Sequence, residues 1–96
     1  MNGYFHIFRT GFHEHPQGRS IPEYQVDYAG LGKLYSRTLE EPELVDFLRE
    51  EAALDTAVLN RTLEALRSSG HVTIADIEMS ESEIPALGFK QVPTEI

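Results

Sequence analysis

The spacing of apolar and polar positions changes twice along these 96 residues. Residues 1–39 are rich in aromatic and β-branched types, residues 40–70 show helical spacing, and residues 71–79 return to a strand pattern. Tyr4 to Thr10 has the residue types of a strand, and Tyr4, Phe8 and Phe12 alternate with Phe5 and Ile7. Both faces are therefore partly apolar, as in a central or doubly covered strand. Residues 13–22, with Pro16, Gly18 and Pro22 among polar neighbours, read as a loop. Tyr24, Val26 and Tyr28 then alternate with Gln25 and Asp27, a clean period of two. Ala29-Gly30-Leu31-Gly32 supplies a tight connection through its glycines, and Lys33 to Leu39 resumes an extended pattern. Together these predict a β-hairpin.

The helical stretch divides in two. Pro42 suits a first helical position, because the N–H it lacks has no partner there in any case. Leu44, Phe47, Leu48 and Ala52 follow on one face, and Glu40, Glu41 and Glu43 crowd the positive end of the dipole. A helix is predicted over residues 42–53. Asp55 is an N-cap for a second helix, with Leu59, Leu63 and Leu66 as its buried stripe and Gly70 as its C′ residue. That helix is predicted over residues 56–69. Val72 and Ile74 alternate on one parity, Ile77 and Met79 on the other, so a bulge or bend is expected at Ala75-Asp76. Residues 80–87 predict one short helical turn, kept short by Pro85.

The order is β, β-hairpin, α, α, β, short helix. Strands grouped before helices predict an α+β domain. We expect two layers: a mostly antiparallel sheet of three or four strands, with two helices packed on one face. Residues 1–96 read as a single domain, with a loose tail over 91–96.

Composition narrows the class. An apolar fraction of 41% is enough for one core and too little for two. There is no cysteine, which removes disulfides, thiolate metal sites and thiol nucleophiles together. The first residues lack the apolar run of a signal peptide, and no segment approaches the roughly 18 apolar residues of a membrane helix. A cytoplasmic protein without membrane contact is expected. The net charge of −8 is uneven: residues 1–37 hold three acids against four bases, and residues 38–96 hold thirteen against four. Such acidity repels phosphate backbones and disfavours nucleic acid as a partner.

Candidate chemistry is sparse. His13-Glu14-His15 places two imidazoles on one side of an extended backbone, within reach of one metal ion. His6 or a carboxylate would have to add a third ligand, and the bland alternative is a solvated loop. His6 itself reads as a packed core histidine, and His71 as the opening of a strand. The carboxylates from Glu40 to Asp55 read as the solvent face of a helix. The serines lie outside nucleophile motifs, and no glycine-rich phosphate loop exists. The sequence therefore assigns no catalytic, cofactor-binding or metal-binding residue.

From Glu43 to Ile74 the spacing of leucines, the capping Asp55, the terminal Gly70 and the strand at His71 resembles the helix-turn-helix half of winged-helix domains. The resemblance covers about a third of the chain and implies a recognition helix at residues 56–69. Only Arg61 and Arg67 would serve it as bases, with Glu64 between them, and Asp76, Glu78, Glu81 and Glu83 would stand in the wing. A DNA-binding face is basic. The expectation is a small non-enzymatic interaction or accessory protein that self-associates as a homodimer through an aromatic sheet face or edge. The alternatives are a winged-helix-like nucleic-acid regulator, with Arg9, Arg19, Lys33 and Arg37 gathered near Arg61 and Arg67, and a small metal-binding protein using His13 and His15.

Overall fold

Five strands form one antiparallel sheet in the computed structural model, which describes residues 3–93. They are β1 (Gly3–Glu14), β2 (Ser20–Gly30), β3 (Lys33–Glu40), β4 (His71–Ile77) and β5 (Lys90–Gln91), in the order β4-β1-β2-β3-β5. The fold is α+β, as expected, with one strand more than the three or four anticipated. The addition is β5, a two-residue strand too short to leave any alternation in the sequence. Gln91, placed in the loose tail by composition, pairs with Tyr35, and the Val92 N–H donates to the Leu34 carbonyl at 2.8 Å. The remainder of that tail, residues 94–96, lies outside the described residues.

The hairpin predicted from Tyr24 to Leu39 is present as β2–β3, closed by Leu31 and Gly32 between the paired Gly30 and Lys33. Both turn residues take positive φ, 55° and 71°. That pair is the signature of a type I′ turn, whose twist matches the strands it joins. It is Leu31, not Gly30, that occupies the first left-handed position, at a cost of roughly 1–3 kcal/mol.

The loop expected over residues 13–22 is much shorter. β1 runs to Glu14 and β2 begins at Ser20, so five residues connect them. Pro22 sits within β2, opposite Phe12. Its missing N–H is tolerated because β3 ends at Glu40, opposite Glu23, leaving β2 unpaired on that side.

Helix α1 (Glu41–Asp46) continues without a break into a π-helical turn, Phe47–Glu51, in which the Ala52 N–H reaches back to the Phe47 carbonyl at 3.0 Å. Helix α2 spans Thr56–Ser69, with Asp55 Oδ1 accepting from the Val58 N–H at 2.9 Å and Gly70 left-handed at φ 83°. Helix α3 (Glu83–Ala86) is the short turn expected around Pro85. The change of parity in β4 is a register shift: Gly3 pairs with Ile77 but Phe5 with Ile74, and Asp76 takes φ 61°.

One core joins the layers. Phe5, Ile7, Tyr24, Val26, Tyr28, Tyr35 and Leu39 point from the sheet into contact with Leu44, Phe47, Leu48, Leu59 and Leu66. Most of the aromatic set is therefore internal, with Tyr4 and Phe12 left exposed. Phe89 joins this core, stacked on Phe5 at 6.1 Å, and Arg37 donates from Nη1 to the Leu87 carbonyl. These two contacts fasten the C-terminal segment to the sheet. After α2, β4 returns to the sheet beside β1, and residues 78–82 form no strand that could complete a wing hairpin.

Candidate metal centre

The cluster at His13 depends on a bulge that follows six residue pairs of β1 with β2. β1 and β2 run in register from Tyr4↔Ala29 to Arg9↔Tyr24, then shift so that Gly11 faces Glu23. Thr10 is the extra residue, and its hydroxyl donates to the Glu23 carbonyl at 3.2 Å. An extra residue reverses the parity of everything after it. Before the bulge, Phe5 and Ile7 face the helices. After it, the odd-numbered His13 and His15 face the opposite, open side, together with Ile21 and Glu23.

Glu40 reaches the same place from another part of the chain. It pairs with Glu23 at the end of β3 and stands as the N-cap of α1, where its N–H donates to Glu43 Oε1 at 3.1 Å. Its neighbour Leu39 is buried, so Glu40 points to the open face. There Glu40 Oε1 meets both histidines: His13 through Nδ1, and His15 through Nε2 at 2.9 Å. The imidazole rings lie 4.8 Å apart, and the three ligand atoms all fall within 4.8 Å of one another. The connecting turn is fixed by the His15 N–H to Arg19 carbonyl bond at 2.8 Å and the Gly18 N–H to His15 carbonyl bond at 3.0 Å.

The electrostatics follow from these contacts. His13's hydrogen bond is the largest influence and holds the Glu40 carboxyl below its ordinary range; burial opposes it, and His15 adds a lesser lowering effect. The site is accessible, with side-chain exposures of 56% for His13, 35% for His15 and 20% for Glu40. Two imidazole nitrogens and one carboxylate suit a first-row transition ion such as Zn²⁺, with at least one coordination position left for water or another ligand.

Of the residues singled out in the sequence, His13 and His15 come together. His6 does not join them and is not a core residue; it lies half-buried on the open face, 5.4 Å from the Phe8 ring and 6.3 Å from the His71 ring. Glu40 is the ligand that sequence spacing does not reveal: it falls among the solvent-facing carboxylates of the helix that begins beside it, and only the pairing of β3 with β2 shows its direction. The other carboxylates have structural partners: Glu41 pairs with Arg67 at 3.1 Å, Glu51 with Arg37 at 3.7 Å, and Asp55 caps α2. The basic residues do not form one patch: Arg9 and Arg67 both lie near Tyr24, but Arg19 and Lys33 flank opposite ends of the sheet's long second strand. No helix among the described residues is long and apolar enough to cross a membrane. Comparisons with known protein families, with characterised proteins and with solved structures found no match to this chain.

Proposed function

We propose that this protein binds one divalent transition-metal ion through His13, His15 and Glu40, and acts by binding rather than by turnover. The observation that carries this reading is the convergence of three ligand atoms within 4.8 Å from two segments 25 residues or more apart in the chain. A second feature supports it. Glu23 and Glu40 stand directly opposite each other on adjacent strands, an arrangement that is destabilising unless a positive charge lies between or beside them. A bound cation supplies that charge permanently. The open, exposed position on a sheet face favours capture and presentation of an ion over chemistry that needs a water-excluded cavity.

The test is calorimetric titration of chelator-stripped protein with Zn²⁺ and Ni²⁺. One ion per chain is expected for the wild type. His13→Ala/His15→Ala and Glu40→Ala should each weaken binding by about tenfold or more, the scale at which a lost ligand or its support is felt. Equal uptake by wild type and both variants would place the metal elsewhere and remove this reading.

A further inference from the structure

The free edge of the sheet carries a separate inference. β4 is the terminal strand on one side, and among the described residues no strand pairs with its outer edge. The opposite terminal strand, β5, is only two residues long. Edge strands are usually protected by lysine, proline, a bulge or brevity. The first four residues of β4, His71 to Ile74, have none of these; Ala75 and the strand's one acid, Asp76, sit at the register shift beyond them. Alternate residues along that stretch turn their N–H and C=O away from β1: the His71 carbonyl accepts from Ser69 Oγ at 3.0 Å, and Thr73 has no ladder partner on that side. Beside them lies a groove of about 310 Å³ between α2 and β4, walled by Val58, Arg61, Thr62, Val72 and Ile74. Val72 and Ile74 face the helix layer but are only half-buried.

We propose that the occupant of this edge is a second copy of the chain, with β4 pairing antiparallel to β4 about a two-fold axis at Thr73. The segment is self-complementary about that residue. Val72 falls opposite Ile74 of the partner subunit, and Ile74 opposite its Val72, so both apolar pairs close over the helix side and extend the two cores into one. Thr73 meets its own counterpart on the open face, a favourable cross-strand pair. The same axis runs α2 antiparallel to its copy. Arg61 lines the groove, and the exposed Glu64 lies one turn further along the helix. The axis therefore sets Arg61 against Glu64 of the partner subunit, and the pair occurs twice. A C2 interface of this kind uses one patch on both subunits and closes without further growth.

Sedimentation velocity over a range of micromolar concentrations, run in chelator so that no metal bridge contributes, tests the proposal. Wild type should pass from 10.9 kDa to twice that mass as concentration rises. Thr73 is exposed in the single chain, so Thr73→Lys should fold normally by circular dichroism yet set two lysines face to face, weakening association about tenfold or more. Arg61→Glu and Glu64→Arg should each weaken it, and the double exchange should restore it. That rescue keeps the test decisive even if Thr73→Lys misfolds. A wild type that stays monomeric throughout, a Thr73→Lys protein that dimerises as wild type does, or a double exchange that fails to rescue would each overturn the proposal. None of these outcomes bears on the metal reading, which rests on residues at the far end of β1.

Discussion

Tyr24 shows how a single buried group sets a limit on stability. Its side chain is 2% exposed, and burial first, then the nearby Glu41 carboxylate, push the phenol above its ordinary value of 10.0, with Arg9 and Arg67 opposing. Below that value the phenol is neutral in folded and unfolded chains alike, so its contribution to stability is fully present. Above it the unfolded chain releases the proton while the folded chain retains it, and stability falls as pH rises. The urea midpoint of the wild type should therefore drop on going from pH 8 to an alkaline pH just above 10, and Tyr24→Phe should drop less. An identical fall in both proteins would show that Tyr24 ionises as freely when folded as when unfolded. The residues that the sequence placed correctly are those whose role is local. Asp55, Gly70 and Pro42 act on backbone groups within four residues, so spacing alone reveals them. Glu40 is different in kind: its partners are 25 and 27 residues away, and nothing near it in the sequence points to them.

Among the elements, the bulge in β1 decides which face the histidines occupy. Deleting Thr10 would restore continuous pairing and leave the chain two choices. Either residues 3–9 keep their places and His13 and His15 turn to the helix side, or the histidines stay and Phe5 and Ile7 leave the core. Burying each of those side chains is worth roughly 1.5–3 kcal/mol, whereas two exposed histidines lose little by moving, so the first choice wins. The deletion variant should fold with native-like circular dichroism and bind Zn²⁺ far more weakly than wild type; retention of wild-type affinity would show that the bulge does not aim the site. The same element explains why the fold was more legible than the site. Helical period and hairpin alternation survive a bulge, because each is read over a few residues. The face on which a side chain emerges does not survive it. His13 and Glu14 could be assigned to a strand only by seeing that Ile21 and Ser20 oppose them, and the two prolines and glycine in residues 13–22 signal a loop to any local reading. Likewise β5 owes its place to Phe89 in the core and Arg37 on the Leu87 carbonyl, both contacts across more than forty residues.

At the scale of the whole molecule, the His13–His15–Glu40 cluster and the free β4 edge sit far apart on one sheet. β4 pairs with β1 only as far as Phe8, and His13 lies beyond the bulge, more than about 15 Å further along the strand. The three proposed ligands join β1, the β1–β2 turn and the junction of β3 with α1, so an ion held by them would be released when the sheet opens. Binding to the folded chain alone stabilises it by RT ln(1 + [L]/Kd), about 2.7 kcal/mol at a hundredfold excess over Kd. For a domain of this size, that corresponds to a rise in Tm on the order of 10–20 °C. A thermal melt with and without excess Zn²⁺ should show this rise in the wild type and lose it in His13→Ala/His15→Ala. Sites with no shared partners and more than 7–10 Å apart act additively. Thr73→Lys should therefore keep the full Zn²⁺-dependent rise even while it shifts the concentration dependence of Tm that a dimer imposes to higher concentration. If Thr73→Lys loses the metal response as well, the two sites are coupled through the sheet, and the picture of one domain carrying two independent binding surfaces fails.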